Sequence, residues 1–137
     1  MPSGSAVTNT APMTFSDPDA FAARWCADWN AHDVEALLSH FSDDVVFTSP
    51  IAVQVLGGDG VLRGKEALRA YWTFGLGKIP DLRFEVVDVY TGVNTMVINY
   101  RNQVGNLVCE VLKFDGDLVT EGHGTYVGTA NPAGARD

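Results

Sequence analysis

The sequence predicts an α+β domain, with its helices gathered in the first half and a largely antiparallel sheet in the second. Three observations predict it. Apolar residues recur at helical spacing through residues 21–41 and again through residues 68–79. From Leu82 onward the texture changes to strand-like runs divided by turn residues. Those runs follow one another with no helical segment between them, which argues for a meander rather than a parallel sheet.

Ser16-Asp17-Pro18-Asp19 opens the first helix, with Ser16 or Asp17 as cap, Pro18 at an early position and Asp19 complementing the helix dipole. Phe21, Ala22, Trp25, Cys26 and Trp29 form its apolar stripe. Asn30-Ala31-His32-Asp33 breaks the pattern, and Asp33 caps a second helix whose stripe is Val34, Leu37, Leu38 and Phe41. His40 falls near the C-terminus of that helix, where the dipole favours it. Asp43-Asp44 marks a turn, then Val45, Val46 and Phe47 begin a strand that Pro50 stops. Residues 51–63 contain a glycine loop, Gly57-Gly58-Asp59-Gly60, but no following Lys-Ser or Lys-Thr and no GxGxxG, so it is not a phosphate cradle. The third helix spans residues 65–79. Leu68, Tyr71, Trp72, Leu76 and Ile79 are its apolar face, Gly75 and Gly77 weaken its last turns, and Pro80 ends it. Strands are expected over residues 82–90, 95–104, 107–114 and 118–127. Gly105-Asn106 suits a two-residue hairpin, and Asp115-Gly116-Asp117 is another hairpin turn.

A chain of 137 residues makes one domain with a real core. The expected limits are a polar disordered leader at 1–14, the domain at 15–129 and a loose tail at 130–137. A net charge of −8 with only nine Lys plus Arg argues against nucleic acid and against an anionic membrane surface. No apolar run is long enough to span a bilayer, and the N-terminus lacks the basic and apolar regions of a secretory signal. A cytoplasmic location follows, with Cys26 and Cys109 as buried free thiols. His32, His40 and His123 are too dispersed for a metal site, and no cofactor motif is present. The strands are apolar on both faces. The face away from the helices, with Cys109 and Val111 among its members, is expected to form a homodimer.

Glu110 stands in the middle of an apolar strand, LVCEVLKF, where an unpaired charge is costly. If Gly105-Asn106 is a two-residue turn, Arg101 falls opposite Glu110, and Asn99 and Gln103 share that face. A slip of one residue brings Tyr100 opposite instead.

The run WNAHD, then ALLSHFSDDVVF, then SP, a glycine loop, RGKEALRAYW and EVLKFDGD resembles the NTF2-like superfamily, and within it the SnoaL-like branch. The resemblance covers nearly everything from Phe21 to Val127. It implies a cone-shaped, cystatin-like fold, with three N-terminal helices packed on a strongly curved, mostly antiparallel sheet around a deep apolar cavity. It commonly implies dimers as well. It does not imply one activity, because the fold hosts isomerases, cyclases, dehydratases, epoxide hydrolases, transport factors and binding proteins. The ketosteroid isomerase branch uses a tyrosine on the first helix, an aspartate base before the proline that ends the first strand, and an acid on a later strand. Here those positions hold Trp25, Ser49 and Glu110, so only the later acid has a counterpart. Glu110 and His123 imitate the acid and histidine of the polyketide cyclases. Arg101 is followed two residues on by Gln103, where the epoxide hydrolases need an aspartate.

With that cavity, Trp25, Trp29, Phe47 and Ser49 are the expected wall, joined by Tyr71, Tyr126 and Asn99, and a flat apolar ligand suits it. Glu110 is the candidate general acid or base, with Arg101 orienting it and His123 as a possible proton shuttle. Arg101–Glu110 as a purely structural ion pair and His123 as a structural residue stay open beside that reading. Two functions are expected: cofactor-independent isomerisation, cyclisation or dehydration, or non-catalytic binding of a small hydrophobic metabolite. A protein-interaction module ranks last.

Overall fold

The computed structural model describes residues 17–128. The expected leader at 1–14, the cap at Ser16 and the tail at 130–137 lie outside that range. The elements are α1 (Pro18–Asn30), α2 (Val34–Leu38), β1 (Phe41–Thr48), α3 (Pro50–Leu56), β2 (Val61–Arg63), α4 (Lys65–Lys78), β3 (Glu85–Gly92), β4 (Thr95–Arg101), β5 (Leu107–Asp115) and β6 (Leu118–Tyr126). The six strands form one curved sheet in the order β2-β1-β6-β5-β4-β3. Every pairing is antiparallel except β1 with β6, which is parallel. Register shifts in β1–β6, β3–β4 and β5–β6 add local bend and twist.

The α+β class holds, with four helices among the described residues where three were expected. Pro50 does end a strand, but it also starts α3. Ser49 accepts a hydrogen bond from the Ile51 amide at 3.1 Å, so Ser-Pro is a cap followed by the first helical position. The glycine loop then returns the chain as β2, with the Ser49 amide donating to the Gly60 carbonyl at 3.0 Å. Gly60 has φ +76°, and a Cβ there would lie 2.9 Å from the Ser49 carbonyl oxygen, so both conformation and space exclude a side chain. α2 stops at Leu38, so Phe41 belongs to β1 rather than to a helical stripe. Asp43 and Asp44 also lie in β1, in the stretch where pairing with β6 shifts register, and make no turn.

The inner face of the sheet follows strict alternation. Met96, Ile98 and Tyr100 of β4 and Val108, Glu110, Leu112 and Phe114 of β5 point toward the helices. α1 and α4 lay their stripes on it. Trp25 is buried against Phe84 and Tyr100, with ring centroids 5.8 and 5.1 Å away, and Phe84 and Tyr100 are 4.4 Å apart. Trp72 of α4 meets Trp29, Phe41 and Phe47 edge-on. Burying each such side chain is worth roughly 1.5–3 kcal/mol. The aromatic cluster therefore anchors both helices to the sheet, and it also walls the space between them.

Candidate functional site

Between α3, α4 and the inner face of the sheet lies a cavity of about 210 Å³. Trp29, Phe47, Trp72, Leu82, Phe84 and Ile79 supply apolar wall, and Lys78 and Gln54 are among the polar residues lining it. Ser49, Tyr71, Tyr100, Glu110 and Tyr126 also line it and bring their polar atoms together. Three of these come from neighbouring strands of one sheet. Glu110 on β5 stands opposite Ile98 of β4 and Gly124 of β6, while Tyr100 is two residues further along the inner row of β4. Ser49 enters from the end of β1, which lies beside β6.

Glu110 is only 5% exposed. Burial pushes its carboxyl up to about 8, and a hydrogen bond from Tyr100 offsets part of that rise. The phenols follow the same logic. Burial raises Tyr100 well above its ordinary range, and any charge on Glu110 raises it further. Tyr126 and Tyr71 are likewise raised by burial, while hydrogen bonding with Ser49 lowers both and Glu110 raises both. Tyr71 donates to Ser49 Oγ at 3.4 Å. Burial thus favours the uncharged forms of the acid and the three phenols in this cluster, while Lys78 lines the same cavity. A carboxylic acid is its most acidic member, and no carboxylate among the described lining residues stands ready as a base.

Six expected site residues meet here: Trp29, Phe47, Ser49, Tyr71, Glu110 and Tyr126. Trp25 does not line the cavity. It lies in the core behind Phe84 and Tyr100. Arg101, Asn99 and His123 sit on the other face of the sheet. The β4–β5 connection is not a two-residue turn. Asn102 closes a longer loop, its side chain accepting from the amides of Val104 and Asn106 while its amide donates to the Asn106 carbonyl. Arg101 therefore pairs with Leu107, not Glu110, and its guanidinium donates to the Gly105 carbonyl at 3.1 Å. Asn99 pairs with Cys109. His123 is bracketed by Thr48 Oγ1 and Glu121 Oε2, each at 2.6 Å.

Tyr100, the alternative that a one-residue slip offered, is the hydrogen-bond partner of Glu110, although Ile98 is the residue directly opposite. Its signal was present: it shares a two-residue period with Met96 and Ile98. His40 is not a dipole-stabilised helix end. It is buried, 3.8 Å from Asp28 and edge-on to Phe21. Cys26 and Cys109 are free thiols, both half-buried. Among the described residues, no group of three His, Cys, Asp or Glu side chains could hold a metal ion, and no helix is long and apolar enough to cross a membrane.

The family model described as SnoaL-like domain matches residues 22–134. The chain is 42% identical to a SnoaL-like protein of unknown function from Burkholderia thailandensis, whose crystal structure superposes with a TM-score of 0.78 over 85% of this chain and 100% of that one. A hypothetical protein from Catenulispora acidiphila with a ketosteroid isomerase-like fold, crystallised in complex with trimethylamine, is 15% identical. It has a TM-score of 0.64 and coverage of 83% and 87%. A cystatin-fold protein from Novosphingobium aromaticivorans is 21% identical, with a TM-score of 0.63 and coverage of 82% and 98%. The latter two likenesses are of fold alone. No match was found among curated proteins.

Proposed function

This chain belongs to the SnoaL-like family of the NTF2-like fold, and from that premise we propose that it takes a small, largely apolar molecule into its cavity and donates a proton or hydrogen bond to it from Glu110. The observation that carries this reading is a carboxylic acid, 5% exposed, in the polar cluster of an apolar hollow. Burial pushes the carboxyl up to about 8, which favours its protonated form at neutral pH and suits it to donate. Cofactor-independent isomerisation, cyclisation or dehydration fits such a donor. A cavity of about 210 Å³ suits a molecule of one or two rings.

Non-catalytic binding is the second reading. Its support is the residue ahead of Pro50: Ser49 supplies no carboxylate, and its oxygen already caps α3. The two readings separate on turnover. Candidate carbonyl and phenolic compounds would be screened by native mass spectrometry, and those that bind would be assayed for conversion by wild type and Glu110→Gln. Conversion lost in the variant supports the enzyme. Binding without conversion supports the binding protein, and no binding at all rejects both.

We further propose that a second copy of the chain covers the outer face of the sheet, where Val97, Cys109 and Val111 lie in adjacent strands and Tyr90 is exposed. Light scattering at micromolar concentration tests it, and a monomer there rejects it.

A further inference from the structure

The apolar cavity continues into a second hollow. Phe84, Asn102 and Gln103 line both, and the second, of about 540 Å³, is completed by Asp81, Arg83, Glu85, Arg101 and Gly105. Strand pairing explains why charge collects there. β3 begins where β4 ends, with Glu85 opposite Arg101, so the segment 81–85 and the loop after β4 meet at one end of the sheet. Three of the nine Lys and Arg residues, Lys78, Arg83 and Arg101, line the two hollows, against three of the seventeen acids, Asp81, Glu85 and Glu110. Their joint lining is therefore far less acidic than a chain of net charge −8. Arg83 and Arg101 are exposed, and neither forms an ion pair among the described residues. Arg101 donates to the Gly105 carbonyl at 3.1 Å, which occupies one end of a guanidinium that carries five N–H donors in all.

We propose that this groove is an anion subsite continuous with the cavity, and that the ligand is bipartite: an apolar body of one or two rings in the cavity, a short linker past Phe84, and a carboxylate in the groove with Arg83 and Arg101. The proposal rests on the cavity reading above and adds the charged end of the ligand. The two ends are not interchangeable. An anion among the buried groups around Glu110 would lose its hydration, whereas the groove has exposed walls and holds the cations. A guanidinium also matches a carboxylate with two parallel N–H donors. Asp81 and Glu85 line the same groove and offset the two arginines, so a free small anion gains little there. An anion tethered to a body already seated in the cavity is held beside the guanidiniums at high effective concentration, and a weak subsite then counts.

The test uses 4-(2-naphthyl)butanoate and its primary amide, which share one body and differ in charge, followed by isothermal titration calorimetry near neutral pH. Wild type is expected to bind the carboxylate about tenfold tighter than the amide, and raising salt from about 20 to about 300 mM should shrink that preference. Arg83→Gln and Arg101→Gln should each weaken carboxylate binding about three- to fivefold, and the double variant should erase the preference. All three should hold the amide within about twofold of wild type. Arg83 makes no hydrogen bond or ion pair among the described residues, so Arg83→Gln breaks no bond of the fold. Equal binding of acid and amide by wild type would overturn the groove while leaving the cavity reading intact. So would a preference that survives in the double variant, or one that Lys78→Gln alone removes. Amide affinity lost together with that of the acid would show that the arginines shape the whole cavity, against the proposal. Acetate alone should not bind measurably, and its binding would mark a free anion site rather than one end of a bipartite ligand. Failure of wild type to bind either naphthyl compound would reject the cavity reading and the proposal with it.

Discussion

Asn30 holds Phe84 by both of its backbone groups: its Oδ1 accepts from the Phe84 amide at 2.7 Å, and its Nδ2 donates to the Phe84 carbonyl at 3.0 Å. Nearby, His32, at φ 58°, brings its Nε2 to 3.1 Å from the Leu82 carbonyl. Leu82 and Phe84 are both wall of the cavity. The break between α1 and α2 is therefore a clamp that fixes one side of the candidate site, and Phe84 passes that constraint to Tyr100 through a tilted ring contact at 4.4 Å.

Asn30→Ala removes both bonds and leaves the Phe84 amide without its partner. A loss of about 2–3 kcal/mol is expected, and a melting temperature lower by on the order of 10 °C. Thermal and urea denaturation check it; a change within about 0.5 kcal/mol would mean the clamp holds little.

Glu110 should make stability fall as pH rises. Its folded value of about 8 lies above its ordinary 4.5, so between those values the folded chain keeps a proton that the unfolded chain has released. The stabilisation is complete below the lower value, declines across the window, and is gone above about 8. Its size is on the order of a few kcal/mol. Glu110→Gln lacks this dependence. Urea titrations near pH 5, 7 and 9 should therefore show the variant gaining on wild type as pH increases, and a constant difference would contradict a buried acid.

Tyr100→Phe deletes the hydrogen bond that holds the Glu110 value down. The carboxyl should then titrate at higher pH than in wild type. Carbon-13 NMR of the glutamate carboxyl groups measures this directly, and an unchanged or lower midpoint would mean Tyr100 does not donate to it.

Gly122→Ala and Gly124→Ala should differ sharply although only one residue separates them. The first forces a methyl onto Phe47 and is expected to cost about 1–3 kcal/mol. The second meets only ordinary contacts and should stay within about 1 kcal/mol of wild type. Parallel melts decide it.

His40 should stay neutral to lower pH than an exposed histidine, because burial outweighs the pull of Asp28. Asp28→Asn removes that pull, so the His40 midpoint should drop further in an NMR titration. A rise would show that the two do not face each other.

Much of this was legible in the residues. The strand LVCEVLKF announced an acid amid apolar neighbours, with Lys113 three residues on and on the opposite face; which face turns inward is settled by the burial of Val108, Glu110, Leu112 and Phe114. The partner of that acid was legible only as an alternative, since the two-residue turn favoured Arg101 and Tyr100 entered with a slipped register. Gly105-Asn106 has the composition of a two-residue turn, but the Asn102 side chain organises a longer loop. The resulting shift is odd in residue count, so it turns Arg101 and Asn99 to the outer face and leaves Tyr100 inside. α3 was hidden for a related reason, since Ser-Pro reads equally as a strand end and as a capped helix start. His40 was misplaced because α2 is one turn shorter than its apolar period, and the dipole explanation left with that turn.

The parallel contact between β1 and β6 sets the order in which the molecule can be completed. Thr48 and His123 touch across 75 residues of chain, and Ser49 reaches Tyr126 over the same seam. On the ribosome, β1 emerges early with one long edge bare and waits for the final strand to arrive. The hollow therefore does not exist in any shorter nascent chain. A chain that ends between β5 and β6 should leave the facing edges of β1 and β5 unpaired and prone to associate.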